Sequence, residues 1–328
     1  MTAFGDWLAT QDRAPLTVRG YTTALTQFAA WFEKQTRAGL DPARLTPLDV
    51  RRYRQYLVEE RRRQPATVNQ HLTALRAFAR WGQVTAQAAD DPTQGVKPMQ
   101  QVEPAPRWLT QAEQYALLRA AREEVQLGAL RANGDPAHPG ALWPRRDYAL
   151  LALLLNTGLR LAEAAALQVD DVTLNGRSGE VQVRQGKGRK ARNVPLNKDA
   201  REALQAWLDA RNARGGQGEG ERGRKGETVS PSPSHPLSPS LFLSQKGGAL
   251  SERAISERVR ELAGRAGLAQ VSPHTLRHSF AKNLVDAGVG LEKVAALLGH
   301  ANLNTTRRYV TPSQADLQAA TERVAWGE

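Results

Sequence analysis

SPHTLRHSFAKNLVDAGVGLEKVAALLGHANLNTTRRYV, residues 272–310, decides how the chain is read. Ser272-Pro273 is a helix start, with serine at the cap and proline at the first helical position. His274, Arg277 and His278 then fall at i, i+3 and i+4, on one face. His274 stands in the first turn, where free N–H groups attract an anion. Leu291–Leu298 is an apolar helix, and Gly299 ends it as a C-terminal cap, so the helix end sets the orientation of His300. Asn302 or Asn304 caps a short helix holding Thr305, Thr306, Arg307, Arg308 and Tyr309. The stretch predicts a helical domain with cationic and proton-carrying side chains gathered at helix ends.

Upstream, TGLRLAE (157–163) places Arg160 at the start of a helix after a break at Asn156-Thr157-Gly158. Glu163, three residues on, shares a face with Arg160 and is in place to pin its guanidinium. Before the break, Asp147–Leu155 reads as a buried helix, and Leu159–Leu167 continues after it. Gly179–Arg184 and Asn193–Leu196 alternate in polarity and predict a β-hairpin. Its connection carries GKG (186–188), in which Lys187 lies between glycines that let the backbone approach a phosphate; Arg189 and Lys190 are close rivals. Thr110-Gln-Ala-Glu113 fits a capping box, Ala129–Pro144 reads as a loop and Asp199–Ala210 as a helix. Residues 211–240 are first Gly-rich with mixed charge, then Ser/Pro-rich, a composition too poor in apolar surface to order itself. They predict a disordered insertion. Leu241–Leu243 resumes as a short strand, and Ser313–Trp326 reads as a final amphipathic helix within a C-terminal segment, 313–328.

Residues 1–95 read as four or five short helices. Thr17–Phe32 spaces Val18, Tyr21, Leu25, Phe28 and Phe32 helically, Thr46-Pro47 starts a helix, and Ala66–Trp81 is another. Arg61, Arg62, Arg63, Arg76 and Arg80 are candidates for contact with a nucleic-acid backbone, or else a solvated charged face. Asp91–Pro106 carries five prolines or glycines and no apolar period, so the division is 1–95, a linker at 96–107, and 108–328. The whole has 328 residues, 41% apolar, enough for two cores. A formal charge of +12 favours a polyanionic partner. With no cysteine, disulfides, thiolate metal sites and thiol nucleophiles are excluded, and the histidines are too sparse to predict a metal site. Neither a signal peptide nor a span of about 20 apolar residues is present, so a cytoplasmic protein without a membrane partner is expected.

A phosphodiester is anionic and resists nucleophiles. Two guanidinium groups clamp its non-bridging oxygens, a phenol near cations supplies the attacking oxygen, and a lysine or histidine protonates the leaving one. Taken singly, Arg160–Glu163 reads as a surface ion pair, Lys187 as a loop lysine and Tyr309 as a half-buried core tyrosine. Taken together and in order, Arg160, Lys187, His274-x-x-Arg277, His300 and Tyr309 resemble the catalytic set of the tyrosine recombinase/integrase family. TGLRLAE, GKGRKARNVPL, SPHTLRHSFA and LLGHANLNTTRRYV are similar to that family's motifs, most of all in its bacterial Xer-like branch.

The resemblance implies a mainly α chain: an all-α, SAM-like core-binding domain, then an α+β catalytic domain with a small β-hairpin or sheet. The two are expected to form a C-shaped clamp on DNA. It implies Tyr309 as nucleophile forming a 3′-phosphotyrosyl link, and Arg160 and Arg277 as the phosphate clamp. Lys187 would act as acid to the 5′ oxygen, His274 as proton-transfer assistant and His300 as a phosphate ligand. Glu163 would support Arg160. No cofactor or metal is implied. The partners implied are double-stranded DNA with a specific site and three further protomers, as a homo-tetramer or with a second recombinase. The C-terminal helix would dock in trans. Chromosome dimer resolution at the nucleoid is the housekeeping role. Alternatives are an integrase of a mobile element, a type IB topoisomerase and a non-catalytic DNA-binding protein.

Overall fold

The computed structural model describes residues 2–11, 13, 15–101, 106–184, 191–216, 238–300, 304–307 and 309. The chain forms two compact units, Met1–Pro104 and Ala105–Glu328.

The first unit is helical: α1 (Thr2–Thr10), α2 (Pro15–Thr36), α3 (Pro47–Glu59) and α4 (Pro65–Val84). Thr46 caps α3 as expected, its hydroxyl accepting from the Asp49 N–H while the Asp49 carboxylate reaches back to the Thr46 N–H. Phe4, Leu25, Phe28, Tyr53, Leu72 and Phe78 fill the core. Within it the Tyr53 hydroxyl and His71 Nδ1 lie 3.0 Å apart. Burial pushes the Tyr53 phenol up and the His71 imidazole down, so the pair is neutral and satisfied inside apolar surroundings. The segment that composition marks as the start of a linker straps back onto this unit. Asn69 donates to the Met99 carbonyl at 2.9 Å and accepts from its N–H at 2.7 Å, and Val96 is buried. Side-chain bonds and two isolated apolar anchors, Val96 and Met99, hold the strap without an apolar period, which is why composition alone reads it as free.

The second unit is built on α6 (Pro139–Thr157), whose residues from Ala149 to Leu155 are all buried. A helix apolar on every side must sit inside, and α5 (Gln111–Arg131), α8 (Lys198–Gly216) and α10 (Pro273–Asp286) cover it. Around them lie α7 (Leu161–Ala166), α9 (Glu252–Arg265), α11 (Leu291–Leu298) and α12 (Asn304–Arg307). Three antiparallel strands, β1 (Val172–Asn175), β2 (Ser178–Val183) and β3 (Arg192–Pro195), form a sheet in that order, with Val181 opposite Val194 and Val183 opposite Arg192. Trp207 of α8 is fully buried and donates Nε1–H to the Leu241 carbonyl at 2.9 Å.

Several local expectations change. The Ala129–Pro144 loop is shorter, because α5 continues to Arg131 and α6 begins at Pro139. Pro139 is the first residue of α6, where a missing N–H costs nothing, and His138 accepts from the Gly140 N–H at 3.0 Å. Leu241–Leu243 is not a strand; isolated bridges stand at its edges, Gln168 with Ser240 and Leu243 with Ala249. β1 pairs with β2 although four residues gave too short an alternation to read. At the insertion, α8 runs to Gly216 and Arg211 donates to the Ser238 carbonyl at 2.5 Å, so both edges of 211–240 are built into the unit. Residues 217–237 of the insertion and 313–328 of the expected C-terminal helix lie outside the described residues. Among the described residues, no helix is long and apolar enough to cross a membrane.

Candidate active site

The site begins at the end of α6. Gly158 takes the left-handed conformation, φ 60°, and caps the helix. A side chain there would have its Cβ 2.5 Å from the Phe280 ring and 2.8 Å from Leu298, so the turn fits only glycine. Arg160 follows at the N-cap of α7, and its main-chain N–H donates to Glu163 at 2.8 Å. The Arg160 side chain also donates to Glu163, at 2.8 Å. The carboxylate therefore holds both the backbone and the guanidinium of Arg160, as the three-residue spacing predicts.

Glu163 has a second partner. Arg192, the first residue of β3, grips it with two parallel bonds of 2.9 and 2.8 Å. Burial pushes the Glu163 carboxyl up, but the bonds from Arg192 and from Arg160 more than reverse this and hold it at about 2. Sequence reading overlooked Arg192. Its signal was register: Arg192 and Val194 lie on the same side of β3, so an arginine occupies a position facing the interior.

The last carbonyls of α11 organise the rest. Helix ends leave such carbonyls without intrahelical partners and carry partial negative charge. Here three consecutive ones accept from three different arginines. Leu297 takes Arg192 Nε at 3.1 Å, Leu298 takes Arg277 Nη2 at 2.7 Å, and Gly299 takes Arg160 Nη2 at 2.8 Å. Arg277 also donates to the Gly158 carbonyl at 2.5 Å and is buried. Burial depresses its guanidinium, and the nearby charge of Arg160 adds to this, to about 10, still cationic at neutral pH. Two guanidinium groups hold one carboxylate and a third is held by neighbouring carbonyls, which leaves a local positive excess suited to an oxyanion.

The proton-carrying groups are distributed around this centre. Ser272 caps α10, and His274, the second residue of that helix, is exposed. His278, half-buried and one turn on, places Nδ1 2.6 Å from the Tyr309 hydroxyl. Tyr309 is 3% exposed and packs with Ala281, Val294 and Leu298. Leu298, in the same cluster, gives its carbonyl to Arg277. Gly299 caps α11 with φ 66°, and His300 follows, its Nδ1 2.9 Å from the Thr306 hydroxyl. The structure therefore brings together Arg160, Glu163, Arg277, His300 and Tyr309 with Arg192 and His278. Lys187 and its rivals Arg189 and Lys190 lie outside the described residues. A cleft of about 480 Å³ beside Arg160 and Glu163 is lined further by Gln168, Asp171, Gln182 and Arg184. Arg184 pairs with the buried Asp171, so both strands leading to the Lys187 connection are tied to carboxylates at their ends. Among the described residues, no group of three or more histidines and carboxylates is placed to hold a metal ion.

In the first unit, Arg61, Arg62, Arg63 and Arg80 are exposed. Arg76 is half-buried and donates to the Val96 carbonyl at 2.8 Å, a bond within the unit that competes with any contact to DNA.

Residues 112–315 match the phage integrase family, and residues 1–86 match the N-terminal SAM-like domain of phage integrases. The chain is 39% identical over 176 residues to tyrosine recombinase XerC of Chromohalobacter salexigens, an alignment covering 53% of this chain and 51% of that protein. It is 36% identical over 217 residues to tyrosine recombinase XerD of Mycobacterium leprae, covering 66% and 60%. The chain thus spans about half to three fifths of the length of these curated relatives. Among solved structures it is similar to XerH site-specific recombinase bound to difH substrate, with a TM-score of 0.66, 23% identity and coverage of 93% and 79%. It is also similar to the Tn1549 transposon integrase in complex with a circular intermediate DNA, with a TM-score of 0.65, 17% identity and coverage of 98% of each chain. At these identities the two likenesses show a shared fold.

Proposed function

The chain belongs to the phage integrase family, and from that premise we propose that it is a tyrosine-type site-specific DNA recombinase. The observation that carries the reading is the placement of Arg160, Arg192 and Arg277 on three consecutive carbonyls at the end of α11, with Tyr309 in one apolar cluster with Leu298, whose carbonyl holds Arg277. Guanidiniums fixed in advance cost no reorganisation when charge develops on a phosphoryl group. They suit a reaction whose difficulty is electrostatic.

Arg160 and Arg277 hold the non-bridging oxygens of the scissile phosphate, and His300 donates a further hydrogen bond to it. The Tyr309 oxygen attacks phosphorus, the bond to the 5′ oxygen breaks, and Lys187 delivers a proton to that oxygen. A 3′-phosphotyrosyl link and a free 5′ hydroxyl result. The link conserves the energy of the phosphodiester, so another strand's 5′ hydroxyl reverses it without a nucleotide cofactor. Exposed His274 stands in the first turn of α10, where free N–H groups favour an anion. The first unit binds duplex DNA chiefly through Arg61, Arg62, Arg63 and Arg80.

Identity to XerC and XerD supports the finer reading: a tetramer exchanging strands between two sites, resolving chromosome dimers in the cytoplasm. The test is covalent capture on nicked DNA carrying the native site. An adduct that survives denaturant, formed by the wild type and absent in Tyr309→Phe, is the expected result. Tight binding by the wild type without an adduct, across native sites and with candidate partner recombinases present, would overturn the catalytic reading.

A further inference from the structure

We propose that His278, rather than the histidine that begins the same helix, is the general base that takes the proton from Tyr309. The inference rests on the recombinase reading above.

Three observations lead to it. First, the Tyr309 hydroxyl and His278 Nδ1 are 2.6 Å apart, at the short end of the hydrogen-bond range, with the rings 5.5 Å apart and inclined by 49°. This is the reach a base needs to the proton it removes. Second, Tyr309 is 3% exposed, packed among Ala281, Val294 and Leu298. A phenol in such surroundings does not shed its proton to bulk water ahead of attack, so a base must sit beside it. Third, the other two histidines of the motifs have different surroundings. His274 is exposed at the start of α10, and His300 turns Nδ1 toward the Thr306 hydroxyl.

The position of His278 follows from its helix. Arg277 and His278 are consecutive on α10, so one turn of backbone aims a guanidinium at the carbonyls of Gly158 and Leu298 and an imidazole at the nucleophile. In cleavage, His278 is neutral with its proton on Nε2, and Nδ1 accepts the phenol proton as the bond from the Tyr309 oxygen to phosphorus forms. The bond to the 5′ oxygen breaks, and that oxygen takes its proton from Lys187. In rejoining, the imidazolium returns the proton to the departing phenolate. Each half-reaction leaves protons and charge balanced.

The test replaces His278 with Asn, which keeps a polar side chain but accepts no proton at this site, and measures adduct formation in a single turnover. Cleavage should fall by about 10²- to 10⁴-fold, the usual range for a lost general base. DNA binding should stay within about two-fold of wild type. The decisive arm puts 3-fluorotyrosine at position 309. A more acidic phenol needs its base less, so fluorination should restore cleavage in His278→Asn by far more than it changes the wild type. Equal effects in both backgrounds would show a merely structural role and overturn the proposal. A bridging 5′-phosphorothiolate, whose leaving group needs no acid, should leave the defect in place, and full rescue by it would assign His278 to the leaving group instead. If His278→Asn does not fold, fluorination of the wild type decides the matter. A weak dependence of rate on phenol acidity supports base assistance, whereas a near-proportional rise overturns it. Wild-type adduct formation on the same DNA separates these outcomes from failure of the recombinase reading itself.

Discussion

Arg192 ties together separate parts of the site. Its guanidinium closes a two-bond fork on Glu163, reaches the Leu297 carbonyl and lies against Gly299, where a Cβ would stand 2.9 Å from Nη1. Glu163 in turn fixes Arg160, and the carbonyls next to Leu297 fix Arg277 and Arg160. Arg192 is therefore a positioning residue: losing it loosens both arginines proposed to hold the phosphate without removing either. Arg192→Met should lower single-turnover cleavage by about 10²-fold, the cost of one misplaced oxyanion donor, with DNA affinity nearly unchanged. Arg192→Lys should recover little, because an ammonium cannot make the parallel pair of bonds. Wild-type cleavage rates in Arg192→Met would sink this assignment. Glu163 makes a second prediction. Its folded value of about 2 lies below the ordinary carboxylate value of 4.5. Its contribution to stability is thus fully present above pH 4.5 and lost as pH falls toward 2. Glu163→Gln, which breaks a buried pair, should destabilise by about 3–5 kcal/mol near neutral pH. In denaturant titrations across pH, that deficit should shrink steadily below pH 4.5; a constant deficit would mean the carboxylate's charge is not what holds the arginines.

At the scale of elements, the site is made of helix ends. The C-terminus of α11 supplies three carbonyls, the C-terminus of α6 supplies the Gly158 carbonyl, and the starts of α7 and α10 carry Arg160 and His274. A helix end is where backbone groups lack partners and where the chain changes direction, so side chains from distant segments meet there. Gly158 shows how tightly the ends fit. Gly158→Ala forces a side chain into a left-handed residue and against Phe280 and Leu298. The backbone strain alone is on the order of 1–3 kcal/mol. The variant should melt at lower temperature and cleave more slowly, since the carbonyl that shifts is an Arg277 acceptor. Unchanged melting and cleavage would show that the turn is not under this constraint. These elements also show what was legible beforehand. The caps at Thr46, Thr110 and Ser272, the glycine stops and the Arg160–Glu163 spacing are local, set within three or four residues, and a linear sequence displays them. Arg192 on Glu163 spans 29 positions and Tyr309 on His278 spans 31, and no local rule pairs them. The start of α6 was misread for the opposite reason: Pro139 breaks a helix from within but begins one at its first position, and composition does not say which.

For the whole molecule, the proposed DNA substrate makes charge the quantity to test. The excess of 45 basic over 33 acidic residues is more than the active site needs, since its own arginines are largely committed to Glu163 and to backbone carbonyls. Much of the remaining charge is exposed, as at Arg61, Arg62, Arg63 and Arg80 in the first unit. Such groups neutralise phosphates and release counterions, a contribution that is nearly blind to sequence and steeply dependent on salt. Arg76, bonded within its unit, should contribute less than its neighbours. Full-length protein on a duplex carrying its site should therefore lose affinity linearly in log–log plots against salt, with a slope of about −0.9 for each phosphate contacted. Replacing Arg61, Arg62 and Arg63 together by Gln should make that slope shallower by about 2–3 and weaken site and non-site DNA alike. Arg76→Gln should leave the slope where it was, and its cost should appear in the melting of the first unit, where the strap at Val96 loses a hydrogen bond. If Arg76→Gln instead changes the slope and the triple replacement does not, the DNA-facing surface of the first unit is the outer face of α4 near Arg76, and the turn between α3 and α4 points away from the duplex.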